Sequence, residues 1–169
     1  RFLEYQLHIT KTDFLIGAKM QLPVGLMKNK SVITLNNFDD NLCFFRCLAV
    51  HQGSRPDKAT KAARKLFESY YKHRKFDDYA GLDMINEVSN IEKHFNVNLN
   101  IYTYYDDDTV TTCRRPLKTT NIINLCVYNN HFCYIKKMDV FTSSFKCRQC
   151  DKIFKTGRQI FRHEQTCKV

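Results

Sequence analysis

The sequence predicts an α+β body followed by a small ββα unit, and three observations carry this. Helical patterns come first and a strand meander later, with no internal repeat or low-complexity stretch. The composition, 43% hydrophobic with thirteen Phe and nine Tyr, suffices for a buried core in a chain of 169 residues. The closing stretch KCRQCDKIFKTGRQIFRHEQTC spaces Cys147, Cys150, His163 and Cys167 as C-x2-C-x12-H-x3-C.

Residues 2–35 read as β-rich, with FLEYQLHI near the start and SVITL leading into a turn. That turn, NNFDDN at 36–41, is dense in Asn and Asp, whose side chains bond nearby backbone, so it should end a strand and cap a helix. LCFFRCLAVHQ follows as an apolar run with little β-branching, a buried helix of about three turns. GSRPD, 53–57, reads as a loop with Asp57 as a helix cap. KATKAARKLFESYYKHR is then a basic amphipathic helix with Ala62, Leu66, Phe67 and Tyr70 inward. DDYAGLDMINEVSNIEKHF predicts a further helix with the stripe Leu82, Ile85, Val88, Ile91 and Phe95. VNLNIYTYY, 97–105, alternates as a strand, and YDDDT reads as a turn. NIINLCVY, Asn129-Asn130 and HFCYIKK form a hairpin signal.

The cysteine and histidine spacing at the C-terminus is that of a ββα zinc finger in which cysteine replaces the last histidine. Phe154 and Ile160 supply its small core, and a helix over 157–167 sets His163 and Cys167 on one face. Three thiolates and an imidazole close a tetrahedral Zn2+ site with no open position, which makes the site structural. Residues 145–169 form this unit, and 1–142 form the body. The short linker Ser143-Ser144 lets the finger pack on the body.

The net charge is +10, and residues 146–169 hold seven basic side chains against two acidic ones. So basic a finger suits contact with phosphates, and nucleic acid is one expected partner. Lys61, Arg64, Lys65, Lys72, Arg74 and Lys75 add a basic helical face, read as a solvent surface. No apolar run is long enough to span a membrane, and the start lacks a signal-peptide pattern. The chain begins at Arg1, which suggests a piece of a longer protein. Cys47, Cys126 and Cys133 sit in apolar runs as buried thiols, and no disulfide framework appears, so an intracellular setting, nuclear or cytoplasmic, is expected. His73 and His94 read as solvated, and His51 lies two helical turns beyond Cys43. Asp106, Asp107 and Asp108 read as a solvated turn.

Cys43 follows the Asx-rich turn and opens the buried helix, where the positive end of the helix dipole favours thiolate. Turn amides at 40–43 are positioned to form an oxyanion hole. His131 opens a strand after a tight turn. Cysteine early on a helix start and histidine late on a strand is the chain order of papain-like proteases. The bland alternative is a core thiol and a surface histidine.

DDNLCFFRCLA resembles the nucleophile motif of OTU-type cysteine proteases, with an aspartate three residues before the cysteine. AGLDMINEVSNIEKHFNVNLNIY resembles that family's middle segment, and CVYNNHFCYI its histidine motif. The order, spacing and finger also resemble the region upstream of the family B DNA polymerase in Maverick (Polinton) transposons, through KSVITLNNFDDNLCF, HFCYIKK and the finger. This resemblance covers about residues 22–167 and implies a papain-like or OTU-like body with Cys43 as nucleophile, His131 as general base and Asp40 in the oxyanion-hole turn. Two departures from the family pattern matter. Asn41-Leu42 replaces glycine–asparagine before the cysteine, and Cys133 replaces the polar residue two positions after the histidine. An orienter for the imidazole is then sought among Asn129, Asn130, Asn36 and Asp39.

The expected function is a cysteine peptidase module with a structural finger, acting on a ubiquitin-like protein or on its own polyprotein. The rival reading is a non-catalytic protease-like module that binds DNA or a protein partner through the finger, beside a family B polymerase.

Overall fold

A computed structural model describes residues 15–17, 21–142, 145–147, 149–150, 152–154 and 156–167. The predicted strand FLEYQLHI and the linker 143–144 lie outside them. The chain is a mixed α+β fold on a curled sheet. In order the elements are β1 (Leu15–Ile16), α1 (Val24–Met27), β2 (Val32–Ile33), α2 (Cys43–His51), α3 (Ala59–Tyr70), β3 (Leu82–Asp83), α4 (Val88–Phe95), β4 (Asn98–Tyr104), β5 (Val110–Arg114), β6 (Ile122–Tyr128), β7 (His131–Ile135), α5 (Met138–Thr142), β8 (Phe145–Lys146), β9 (Ile153–Phe154) and α6 (Gly157–Glu164).

Seven strands form one sheet in the order β2-β7-β6-β4-β5-β9-β8, while β1 pairs with β3 alone. The pair β4–β6 is parallel and every other pair is antiparallel. The hairpin β6–β7 forms as its sequence predicts, with Asn129 in the left-handed region at φ 48. Both central strands are buried on two faces because each face of the sheet is covered. On one face Phe44, Phe45 and Phe67 from α2 and α3, with Ile91 from α4, meet Leu99, Leu125 and Phe132. On the other, Leu26 from α1 and Phe141 from α5 meet Tyr104, Cys126, Cys133 and Ile153.

Four expectations are corrected. Residues 2–35, where described, hold only two-residue strands, with the helix α1 entered from Pro23. The helix expected around 82–95 begins only at Val88. Its would-be first turn is captured by Asp83, whose carboxylate accepts from the amides of Ile85 and Asn86. Leu82 is therefore buried in a strand while Ile85 is 66% exposed. Asp57 caps no helix; it accepts from Arg55 in a 3-10 turn ahead of α3. On α3, Ala63 is buried where Ala62 was expected to be; Phe67 is buried as expected. The strand β5 was not foreseen, since four of its five residues are not buried and show no period-two contrast.

The sheet does not stop at the body. Val110 of β5 pairs with Ile153 of β9, so the C-terminal unit extends the same sheet. Among the described residues no helix is long and apolar enough to cross a membrane.

Candidate functional site

The geometry around Cys43 starts with the way β2 ends. Leu35 takes a left-handed φ of 48, and the chain leaves the edge of β7 just past the Ile33–Tyr134 pair. Phe132 then has its amide and carbonyl facing α2 rather than a strand. Cys43 and Cys47, one helical turn apart on one face of α2, take both groups. The Phe132 amide donates to Cys43 Sγ at 3.4 Å, and Cys47 Sγ donates to the Phe132 carbonyl at 3.7 Å. Cys43 is 2% exposed, and burial pushes its thiol up to about 11, against partial relief from the Phe132 and Phe44 amides. Helix position favours thiolate, but desolvation outweighs it here.

His131 sits one residue before that amide and is 2% exposed. Its Nε2 lies 2.7 Å from the Thr34 carbonyl oxygen, which can only accept, so Nε2 carries the proton. A backbone carbonyl thus holds one nitrogen of this ring. No side-chain pattern could reveal it, because it depends on β2 running beside β7.

Asp40 lies in the turn before α2, as its position implied, and is tied there by two partners. Its carboxylate accepts from the Leu42 amide at 3.0 Å and from both Nη atoms of Arg46. Burial raises the Asp40 pKa, but the Arg46 hydrogen bond, the Leu42 amide and the Arg46 and Arg64 charges outweigh it, leaving the group below its usual value. Arg46 itself is 1% exposed, lies 3.7 Å over the Phe38 ring and reaches Thr60. This buried cation went unnoticed in the sequence, although the Asp40-to-Arg46 spacing was visible. It locks the turn that delivers Cys43. Asn41 pins the same turn by donating to the Tyr79 carbonyl at 2.7 Å. A groove of about 440 Å³ opens beside it, lined by Asp39, Asn41, Leu42, Arg64, Phe76 and Tyr79.

The other histidines and acids take the places expected of them. His51 binds Asn121 and Tyr134, and His73 and His94 are exposed. Asp106, Asp107 and Asp108 accept from Tyr128, Thr109 and Tyr104 and so tie the 105–109 turn to the sheet. Cys47, Cys126 and Cys133 are fully buried thiols.

The second site is the C-terminal cluster. Ligand atoms of Cys147, Cys150, His163 and Cys167 all lie within 4.8 Å of one another. Cys147 Sγ is 3.9 Å from Cys167 Sγ, and Cys150 Sγ is 3.1 Å from His163 Nε2. Tetrahedral coordination with metal–sulfur bonds of about 2.3 Å sets ligand atoms about 3.8 Å apart. The four side chains fit that shape and are able to hold a metal ion. The helix α6 ends at Glu164, so Cys167 arrives through the turn after it, in which the Thr166 amide bonds the His163 carbonyl. Phe154 closes the inner side, its ring 4.6 Å from that of His163. Amides of Cys150 and Gln149 hold the Cys147 thiol below its ordinary value despite burial.

Comparison with protein-family models, with curated proteins and with solved structures gave no match.

Proposed function

We propose that the body is a cysteine peptidase module of papain-like, OTU-like type, with Cys43 as nucleophile and His131 as general base, in a closed resting form. The observation that carries this is the hydrogen bond from the Phe132 amide to Cys43 Sγ, which brings the start of α2 against β7 one residue along the chain from His131, whose Nε2 bonds the Thr34 carbonyl. In this reading the His131 imidazole takes the Cys43 proton. The thiolate then attacks the substrate carbonyl, the electron pair passes to its oxygen, and amides at the start of α2 stabilise that oxyanion. The first amides of a helix have no intrahelical acceptors, so the Cys43 amide suits this task; the Leu42 amide is held by Asp40. The groove beside Asn41 and Leu42 is the way in for a peptide, a ubiquitin-like tail or a polyprotein segment. Both Cys43 and His131 are closed off at rest, so substrate must open the turn at 39–42. The C-terminal cluster holds structural Zn2+ in this reading.

A second reading is favoured by the burial of Cys43 and the upward shift of its thiol. There the two α2 thiols only complete the sheet edge at Phe132, and the module binds a protein or nucleic acid without catalysis.

Intact-mass labelling of the zinc-loaded protein with an electrophile-tipped ubiquitin probe separates the two. One adduct, lost in Cys43→Ala and in His131→Ala, is the result expected of a peptidase with a ubiquitin-like substrate. No adduct, and no cleavage of peptides spanning the chain's own flanks, would sink the peptidase reading.

A further inference from the structure

The finger's helix is not free to read DNA in the usual way. In a ββα finger the residues at positions −1, 3 and 6 of the helix reach successive bases. With α6 starting at Gly157, these positions are Thr156, Gln159 and Arg162. Gln159 is already engaged: its Nε2 donates to the Asp107 carbonyl of the body at 3.1 Å. Arg162 lines a cavity of about 410 Å³ with Asp107, Thr109, Lys152 and Gln159. Lys152 from the finger lies 4.0 Å from the Asp107 carboxylate and 5.6 Å from the centre of the Tyr105 ring. Beneath these contacts, β9 pairs with β5.

We infer that the base-reading face of the finger is a protein-docking surface whose partner is the 105–109 turn of the same chain. The chemistry of that turn argues against sharing the face with a duplex. Asp106, Asp107 and Asp108 form a run of carboxylates of which Asp107 lies against Gln159 and Lys152, and like charges there oppose the approach of phosphates. Tyr128, Thr109 and Tyr104 hold these three carboxylates in place, so the turn is a built element rather than a loose loop. The basic character of the finger is then partly used inside the molecule, by Lys152. The finger braces the outer edge of β5, which would otherwise be the open edge of the sheet.

Hydrogen–deuterium exchange of the zinc-loaded full chain, read by mass spectrometry, tests this. Gln159→Glu sets a carboxylate against the Asp107 carbonyl in place of a donor, and Gln159→Ala removes the donor without adding charge. Zinc content is measured alongside, and only fully loaded protein is compared. The expected result is exchange at 105–110 faster by at least about threefold in Gln159→Glu, less so in Gln159→Ala, with 122–135 unchanged. Adding a mixed-sequence duplex of about 20 base pairs to the wild type is expected to leave 105–110 as protected as before. Unchanged exchange at 105–110 in both variants, or loss of that protection when duplex is added, would overturn the inference.

Discussion

Cys43 and Cys147 are almost equally shut away from solvent, at 2% and 1% exposure, yet their surroundings push the two thiols in opposite directions. Cys147 receives the amides of Cys150 and Gln149 and faces two more sulfurs and an imidazole, so its sulfur is prepared to be a thiolate beside a cation. Cys43 is packed among Phe44, Phe45 and Phe132, and burial outweighs the amides that reach it, pushing the thiol up to about 11. The same side chain is set up to be a ligand in one place and is held as a neutral thiol at rest in the other. What differs is both depth and polar surroundings: Cys43 lies inside the main core, where desolvation dominates, whereas Cys147 lies outside both core clusters and its amides prevail.

The largest effect that would break this contrast is loss of the metal. In the proposed reading, where the cluster holds structural zinc, the metal contributes on the order of 10 kcal/mol. Chelation, or Cys147→Ala, is expected to abolish the helix 157–164, as read by far-ultraviolet circular dichroism and released metal. Cys43→Ala should leave metal content untouched, and a shared loss in both would mean the two sites are not independent.

A smaller effect is expected at Arg46. Arg46→Met keeps much of the side-chain volume but leaves Asp40 without its cation, a loss of about 3 kcal/mol in urea unfolding. A change under about 1 kcal/mol would show that the turn before Cys43 does not depend on this pair.

Next comes the sulfur of Cys43 itself. Cys43→Ala leaves the buried Phe132 amide without an acceptor, which costs about 1–3 kcal/mol, whereas Cys43→Ser keeps an acceptor and should cost less. Equal losses would mean the sulfur contributes only volume.

The smallest is a pH effect. The carboxyl of Asp40 is held below 3.8 in the fold, so its contribution is complete above that value and is lost as pH falls through the folded one. The stability difference between wild type and Asp40→Asn is therefore expected to hold down to about pH 4 and to shrink as pH falls further, followed by urea midpoints. A constant difference would mean the carboxylate charge is not what matters.

The two sites also differ in how much of each could be read beforehand. The metal cluster was legible because its ligands are held by local chain geometry, a knuckle and a helix, which spacing alone specifies. The start of α2 and the β6–β7 hairpin were legible for the same reason, through the Asx-rich turn before Cys43 and Asn129-Asn130. The surroundings of Cys43 were not, because they come from Phe132, eighty-nine positions away, and from the place where β2 leaves the sheet. The Thr34 carbonyl at His131 and the docking of Gln159 on Asp107 are long-range in the same sense. Strand β5 was missed because its pattern carries little contrast, and the first turn of the helix before α4 because Asp83 captured it. Tertiary context, rather than propensity, decided each of these.

The most direct test of the contrast is the pH dependence of Cys43 alkylation in the native, zinc-loaded protein, followed by peptide mass spectrometry against the exposed Cys113. A thiol whose folded pKa is raised stabilises the closed form below its ordinary value of 9.0, and this is lost as pH rises toward 11. Opening and ionisation are linked, so the Cys43 rate is predicted to climb about tenfold per pH unit from 7 to 10 without levelling. A Cys43 rate that exceeds that of Cys113 at pH 7 and stays flat above it would contradict the account, since it would mean a thiolate already formed at rest.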